Sequence, residues 1–305
     1  MKSSEVSKQR ASESAKAGGN PALRRLGFDA NDRVVVIHAD DIGMCHATLP
    51  AFADLMDFGL VSSGALMVTC PWFPEAAALC QTHPAWDVGI HLTLNSEWSA
   101  YRWRPLSDSA GAASLLDETG YLPRTVPALL ATVETQAAVA EIKAQIEHAR
   151  RAGVNPSHAD SHMFALLHEQ FFPLYAQICL EARLLPFIPR HDFRQWAGRD
   201  ALIDGWEKQG VPIFDQLIAI KDRHEPGERV AEAKKVFDGL SPGLTCFLVH
   251  PAQDTPELRA LAPRWQYRVA DYEAFMSAEL AAHVRDSGIQ VISYHTLRAN
   301  MPFAP

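Results

Sequence analysis

The chain is 305 residues long, 48% apolar and 21% charged, the make-up of a globular protein with a sizeable core rather than a disordered or fibrous one. Its 28 basic and 36 acidic residues give a net charge of −8. There is no basic stripe and no zinc-finger spacing, so a nucleic-acid partner is excluded, and no apolar run is long enough for a membrane span.

In chain order, the opening stretch 1–22 is polar and rich in Ser, Lys, Glu and Ala, without the apolar segment of a secretory signal. It is expected to be a disordered leader, with 23–305 forming one domain. Cys45, Cys70, Cys80, Cys179 and Cys246 are odd in number and scattered, which predicts free thiols and a cytoplasmic setting. The first strand is read at Arg33–His38, followed by a helix over Cys45–Phe58 stopped by Gly59. Strands follow at Gly64–Thr69 and Asp87–Leu94, separated by a short helix at Pro74–Gln81. From Asn95 to Arg124 periodicity is lost; the aromatics Trp98, Tyr101, Trp103 and Tyr121 either stack on a sugar or pin the loop to the body.

A long helix is predicted over Pro127–Ala152, a short strand at Pro156–Asp160 and a helix at Glu169–Arg183. A strand at Leu185–Pro189 ends in Arg190, and a helix and a strand follow at Ala197–Gln209 and Val211–Ile220. The series closes with a helix at Gly227–Asp238, a strand at Leu244–Val249 ending in His250, a helix at Asp271–Asp286 and a strand at Gln290–Tyr294 ending in His295. Alternating strands and helices predict an α/β fold, a distorted TIM-like (β/α) barrel of seven or eight strands with its site at their carboxyl ends. An open doubly wound sheet is the competing architecture, disfavoured because no glycine-rich turn follows the first strand.

Polar groups fall where such a site needs them. Asp40 and Asp41 follow the first strand, His91 lies late in the third, and His158, Asp160 and His162 lie at or just past the fourth. Arg190 and His250 follow later strands. A helix cap explains one of the two adjacent acids but not the other, and two neighbouring carboxylates repel unless a cation or a shared proton relieves them. His158, Asp160 and His162 alternate, so all three share a face if extended; one can hold a metal while another orients it. Arg190 either holds a substrate carboxylate or forms an ion pair. His38, His46, His168 and His295 are read as structural, and Cys45 lacks a base that would make it a nucleophile. An Asp with two histidines is a ligand set for one divalent ion, magnesium or zinc, with positions left for water. A nearby free carboxylate and a histidine would then serve as base and acid in hydrolysing an amide or ester.

Four segments carry a resemblance: His38-Ala39-Asp40-Asp41-Ile42-Gly43, Gly89-Ile90-His91-Leu92-Thr93-Leu94, Pro156-Ser157-His158-Ala159-Asp160-Ser161-His162 and Val249-His250-Pro251. Together they resemble the YdjC-like family of carbohydrate deacetylases, which includes chitooligosaccharide and hopanoid-associated deacetylases. The resemblance implies a distorted (β/α) barrel that removes acetyl groups from N-acetylated sugars or oligosaccharides with a divalent metal. It implies Asp41, His91 and His162 as ligands, Asp40 as general base, His250 as candidate general acid, and His158 and Asp160 in support. Where many relatives continue with further histidines, this chain has Met163-Phe164-Ala165-Leu166, and Ile42 and His38 replace a common phenylalanine and asparagine. These differences spare the implied ligands and alter the pocket wall. The remaining readings are a divalent-metal hydrolase of another amide or ester and a non-catalytic carbohydrate binder; a homodimer is left open.

Overall fold

Strand β1, Arg33–Ile42, is the axis of the sheet, and nine of its ten residues are buried. Its run of Val34, Val35, Val36 and Ile37 has no polar face, as expected of a strand covered on both sides. The computed structural model describes residues 19–108, 111–191, 195–222, 225–299 and 301. The other strands are β2 (Ser63–Leu66), β3 (Val88–Leu92), β4 (His158–Ser161), β5 (Leu185–Pro186), β6 (Gln216–Ala219), β7 (Gly243–Val249) and β8 (Gln290–Val291). All pairings are parallel, in the order β5-β4-β3-β2-β1-β7-β6, and β8 pairs with Val34 and Val35 of β1. Among the described residues, the segments that follow β5 and precede β6 meet through one parallel bridge, between Pro189 and Phe214. There Phe214 N donates to Ile188 O, and Arg190 N donates to Phe214 O. The expected distorted barrel is therefore present, and its weak seam lies between β5 and β6.

Several elements differ from the expectation. The single helix read over Pro127–Ala152 is two, Val126–Thr132 and Thr135–Arg151. Val133 between them is extended and buried, so tertiary packing of that side chain outweighs a helical sequence pattern. The helix read over Asp271–Asp286 is also divided, into Trp265–Phe275 and Ala278–Asp286, because the Ser277 hydroxyl accepts from Leu280 N and starts a new helix. Ser293 acts likewise toward Thr296 N and starts the helix Tyr294–Arg298, so the last strand, Gln290–Val291, is shorter than the expected Gln290–Tyr294.

Residues 1–18 of the expected leader lie outside the described residues. Its last residues are packed: buried Asn20 caps the helix Pro21–Arg25 and donates from Nδ2 to Ile213 O and Asp215 Oδ2, each at 2.8 Å. The stretch 95–124 has no strand and only one short helix, Ala112–Leu115, among its described residues. It is held down by its aromatics, with Trp103 Nε1 donating to Asn95 O at 2.7 Å and the Tyr101 hydroxyl to Met44 O at 2.6 Å. All five cysteines are free and buried. Among the described residues no helix is long and apolar enough to cross a membrane.

Candidate active site

An extended strand sends successive side chains to opposite faces, so Asp40 and Asp41 should point apart. They do not, because the β1–β2 register shifts between Ala39 and Ile42 and Asp41 takes a left-handed conformation, φ 65°. A non-glycine residue there costs on the order of 1–2 kcal/mol. The kink turns both carboxylates into one buried site at the carboxyl end of the sheet, where β3 and β4 deliver their histidines.

Three atoms converge at its centre. Asp41 Oδ1 lies 3.3 Å from His91 Nε2 and 3.2 Å from His162 Nδ1, and the two histidine nitrogens are 3.3 Å apart. Ligands at about 2.0–2.1 Å from a tetrahedral zinc stand about 3.3–3.4 Å from one another, so the triangle has the dimensions of one face of a metal site. Asp41 Oδ1 is buried without a hydrogen-bond partner, as an atom reserved for a cation would be.

The opposite atom of each residue is held. His91 Nδ1 lies 2.7 Å from Asp160 Oδ1 and His162 Nε2 lies 2.9 Å from Glu97 Oε2. A carboxylate only accepts, so each ring donates outward and turns its lone pair toward the triangle. Arg268 Nη2 donates to Asp41 Oδ2 at 2.7 Å. The residues present thus fit a divalent ion in both ligand type and orientation.

The electrostatics agree. Burial pushes the Asp41 carboxyl up, but Arg268 and the two histidines outweigh it and hold the group well below the usual carboxylate range. Burial disfavours charge on His91, yet Asp160, Asp40 and Asp41 raise it well above an ordinary histidine. Burial is likewise outweighed at His162, where Glu97 and Asp41 lift the imidazole to about 9. Asp40 goes the other way, its carboxyl raised chiefly by burial and further by Asp160, against the lowering effect of His91, His38 and His250. Its Oδ1 has no hydrogen-bond partner.

The structure brings Asp40, Asp41, His91, Asp160 and His162 together. His250 stands at the edge, its side chain 40% exposed and its Nε2 3.8 Å from Asp40 Oδ2. Its backbone N donates to Asp271 Oδ2, and Asp271 is anchored by Arg229. His250, Trp98, Tyr267 and Arg268 line a groove of about 340 Å³. His158 lies behind the site rather than in it, edge-on to the His38 ring at 4.9 Å and stacked on Tyr294 at 3.7 Å, with Ser157 Oγ 2.7 Å from its Nδ1. A Cβ on Gly89 would come within 2.4 Å of the His158 ring, so this glycine is what admits it.

Arg190 is not part of the site, contrary to one expectation. It pairs with Asp204 and Glu207 and lines a cleft with Asn20, Asp215 and Gly243, at the start of β7 and the opposite end from His250. The Pro189–Phe214 bridge sets β5 against the approach to β6, which carries Arg190 to the wrong end. His295, as expected, is elsewhere, paired with Asp87. Burial raises Cys45 to about 11, which leaves it inert. Glu97 and Arg268 were not singled out from the sequence. Glu97 sits in the aperiodic stretch and Arg268 on an ordinary-looking helix, and only distant contacts mark either.

An α/β barrel whose strand ends gather an aspartate and two histidines, each oriented from behind, defines a class of metal-ready proteins. The YdjC-like protein family model matches residues 34–286, and the chain belongs to that family. It is 32% identical over 272 residues to a carbohydrate deacetylase of Thermus thermophilus, covering 85% of this chain and 91% of that protein. It is 28% identical over 264 residues to a carbohydrate deacetylase of Geobacillus stearothermophilus, covering 86% and 97%. A crystal structure from Enterococcus faecalis, described as a candidate cellobiose-phosphate cleavage protein, shares the fold with a TM-score of 0.74 at 20% identity, covering 87% of this chain and 99% of that one.

Proposed function

We propose that this protein is a metal-dependent carbohydrate deacetylase that hydrolyses the acetamide of an N-acetylated sugar. The observation that carries the reading is the triangle of Asp41 Oδ1, His91 Nε2 and His162 Nδ1 with the Asp40 carboxylate, its Oδ1 free of any hydrogen bond, beside it. Family membership and the deacetylase relatives support it. Asp41, His91 and His162 would hold one divalent ion, zinc or magnesium. Such an ion supplies a polarised carbonyl and a water acidic enough to react near neutral pH.

The chain's own residues supply the proton traffic. Asp40, raised by burial, accepts the proton of the attacking water; a base is most effective when its pKa approaches the working pH. His250, partly exposed at the groove edge, donates a proton to the departing amine. Asp160 and Glu97 hold the histidine rings in the tautomers that face the centre, and Arg268 keeps Asp41 turned toward it. Trp98 offers the groove an aromatic wall suited to a sugar ring.

The test is acetate release from a panel of N-acetylated mono- and oligosaccharides by chelator-treated protein, with zinc or magnesium added back. Asp40→Asn should retain the metal and lose turnover, whereas Asp41→Asn should lose the metal. Metal-loaded protein that releases no acetate from any of the sugars overturns the reading, and release from O-acetyl esters alone replaces it with an esterase.

A further inference from the structure

The buried imidazole of His38 has no place in the proton traffic above, yet it touches two of its members. Its Nε2 lies 3.2 Å from Asp160 Oδ2 and 3.3 Å from Asp40 Oδ1. The first contact is a hydrogen bond; the second is off-axis and leaves Asp40 Oδ1 unpartnered. Both neighbours are carboxylates, so the proton belongs on Nε2, and Nδ1 then accepts from the Ser63 hydroxyl 2.8 Å away. The ring plane is set by edge-on contacts with His158 at 4.9 Å and Tyr294 at 5.5 Å. Ser63 lies directly opposite His38 in the β1–β2 pairing, so the brace is built into the sheet itself.

We propose that His38 is a positioning residue for the deacetylase chemistry, its single Nε2–H bracing Asp160 while standing between that carboxylate and Asp40. This rests on the function proposed above. Two buried carboxylates facing a common point repel. The N–H engages Asp160, which in turn orients His91, and its partial positive charge shields Asp40 without consuming the lone pairs that Asp40 needs as a base. Loss of the brace lets Asp40 move, while Asp160 keeps its 2.7 Å bond to His91 Nδ1 and the three metal-facing atoms and the sugar groove stay intact, so turnover suffers and binding does not. A displacement of about 1 Å at such a centre costs about 100-fold in rate.

The experiment compares wild type, His38→Leu, His38→Gln and Ser63→Ala by kcat, KM, zinc affinity and thermal midpoint. His38→Leu should lose about 100-fold in kcat, with KM and zinc affinity within about threefold of wild type. His38→Gln keeps an N–H donor near the position of Nε2 and should recover to within about tenfold. Ser63→Ala leaves the ring in place but strips Nδ1 of its hydrogen-bond donor, and should lose about threefold to tenfold in kcat alone; it decides the matter if His38→Leu does not fold. Folded His38→Leu with kcat near wild type, equal losses in the Leu and Gln variants, or a change confined to KM overturns the proposal. Wild type without acetate release would instead refute the function on which it rests.

Discussion

Replacing Asp160 by Asn separates orientation from ligation at this site, because the side chain touches no atom of the Asp41–His91–His162 triangle that would face the metal. Asp160 accepts from His91 Nδ1 at 2.7 Å through one oxygen and from His38 Nε2 at 3.2 Å through the other. An amide keeps only one of those acceptors. If its oxygen stays on His91, its NH2 meets the N–H of His38, which must move its proton to Nδ1 or turn away. The charge that makes His91 a stronger donor ligand is lost in either case. Removing such a supporting carboxylate typically weakens a metal site by about 10- to 100-fold. At about 1.4 kcal/mol per tenfold, that is roughly 1.4–2.8 kcal/mol of binding free energy. Zinc competition against a chromophoric chelator at fixed pH reads it directly. An affinity within twofold of wild type, in a variant with an unchanged fold, would refute the claim that Asp160 works through His91.

Two further predictions concern stability. Arg268→Met leaves Asp41 Oδ2 buried without its 2.7 Å partner, and breaking a buried pair in this way costs about 3–5 kcal/mol. Zinc should narrow the gap in thermal midpoint between variant and wild type, and a gap that zinc leaves unchanged would show that Arg268 does not act on the ligand. Asp87 provides the pH dependence. Burial pushes its carboxyl up, but His158, then His295 and Ser157, outweigh that and hold it at about 2 against an ordinary 3.8. A folded value below the unfolded one contributes stability above about pH 4 that is lost as pH falls through about 2. That lowering corresponds to roughly 2.5 kcal/mol. Denaturant titrations should find Asp87→Asn less stable by about that much at pH 7 and little different near pH 2; a gap independent of pH would assign the loss to packing.

The candidate site was legible in the sequence because strands of a barrel end at one face, so polar residues closing apolar runs converge without any need to know the detailed fold. That logic placed Asp40, Asp41, His91, Asp160 and His162, and the family resemblance separated His162 from His158. It misplaced Arg190, which has the same sequence signature, because the single bridge at Pro189 and Phe214 shifts that segment along the barrel. It also misread two helices as unbroken and ran the last strand too far, where the caps of Ser277 and Ser293 and the burial of Val133 overrode periodicity.

By itself the sequence determined the α/β alternation, the strand ends that bear the candidate site and the pair of carboxylates at the end of β1. Those properties are local, set by side-chain periodicity and the positions of charge. Only the tertiary structure decided that both acids face one centre, through the left-handed Asp41, and that Glu97 and Arg268 hold that centre from loops and helices far away in the chain. Glu97 and His162 are 65 residues apart and Arg268 and Asp41 are 227 apart, separations across which no periodic pattern carries a signal.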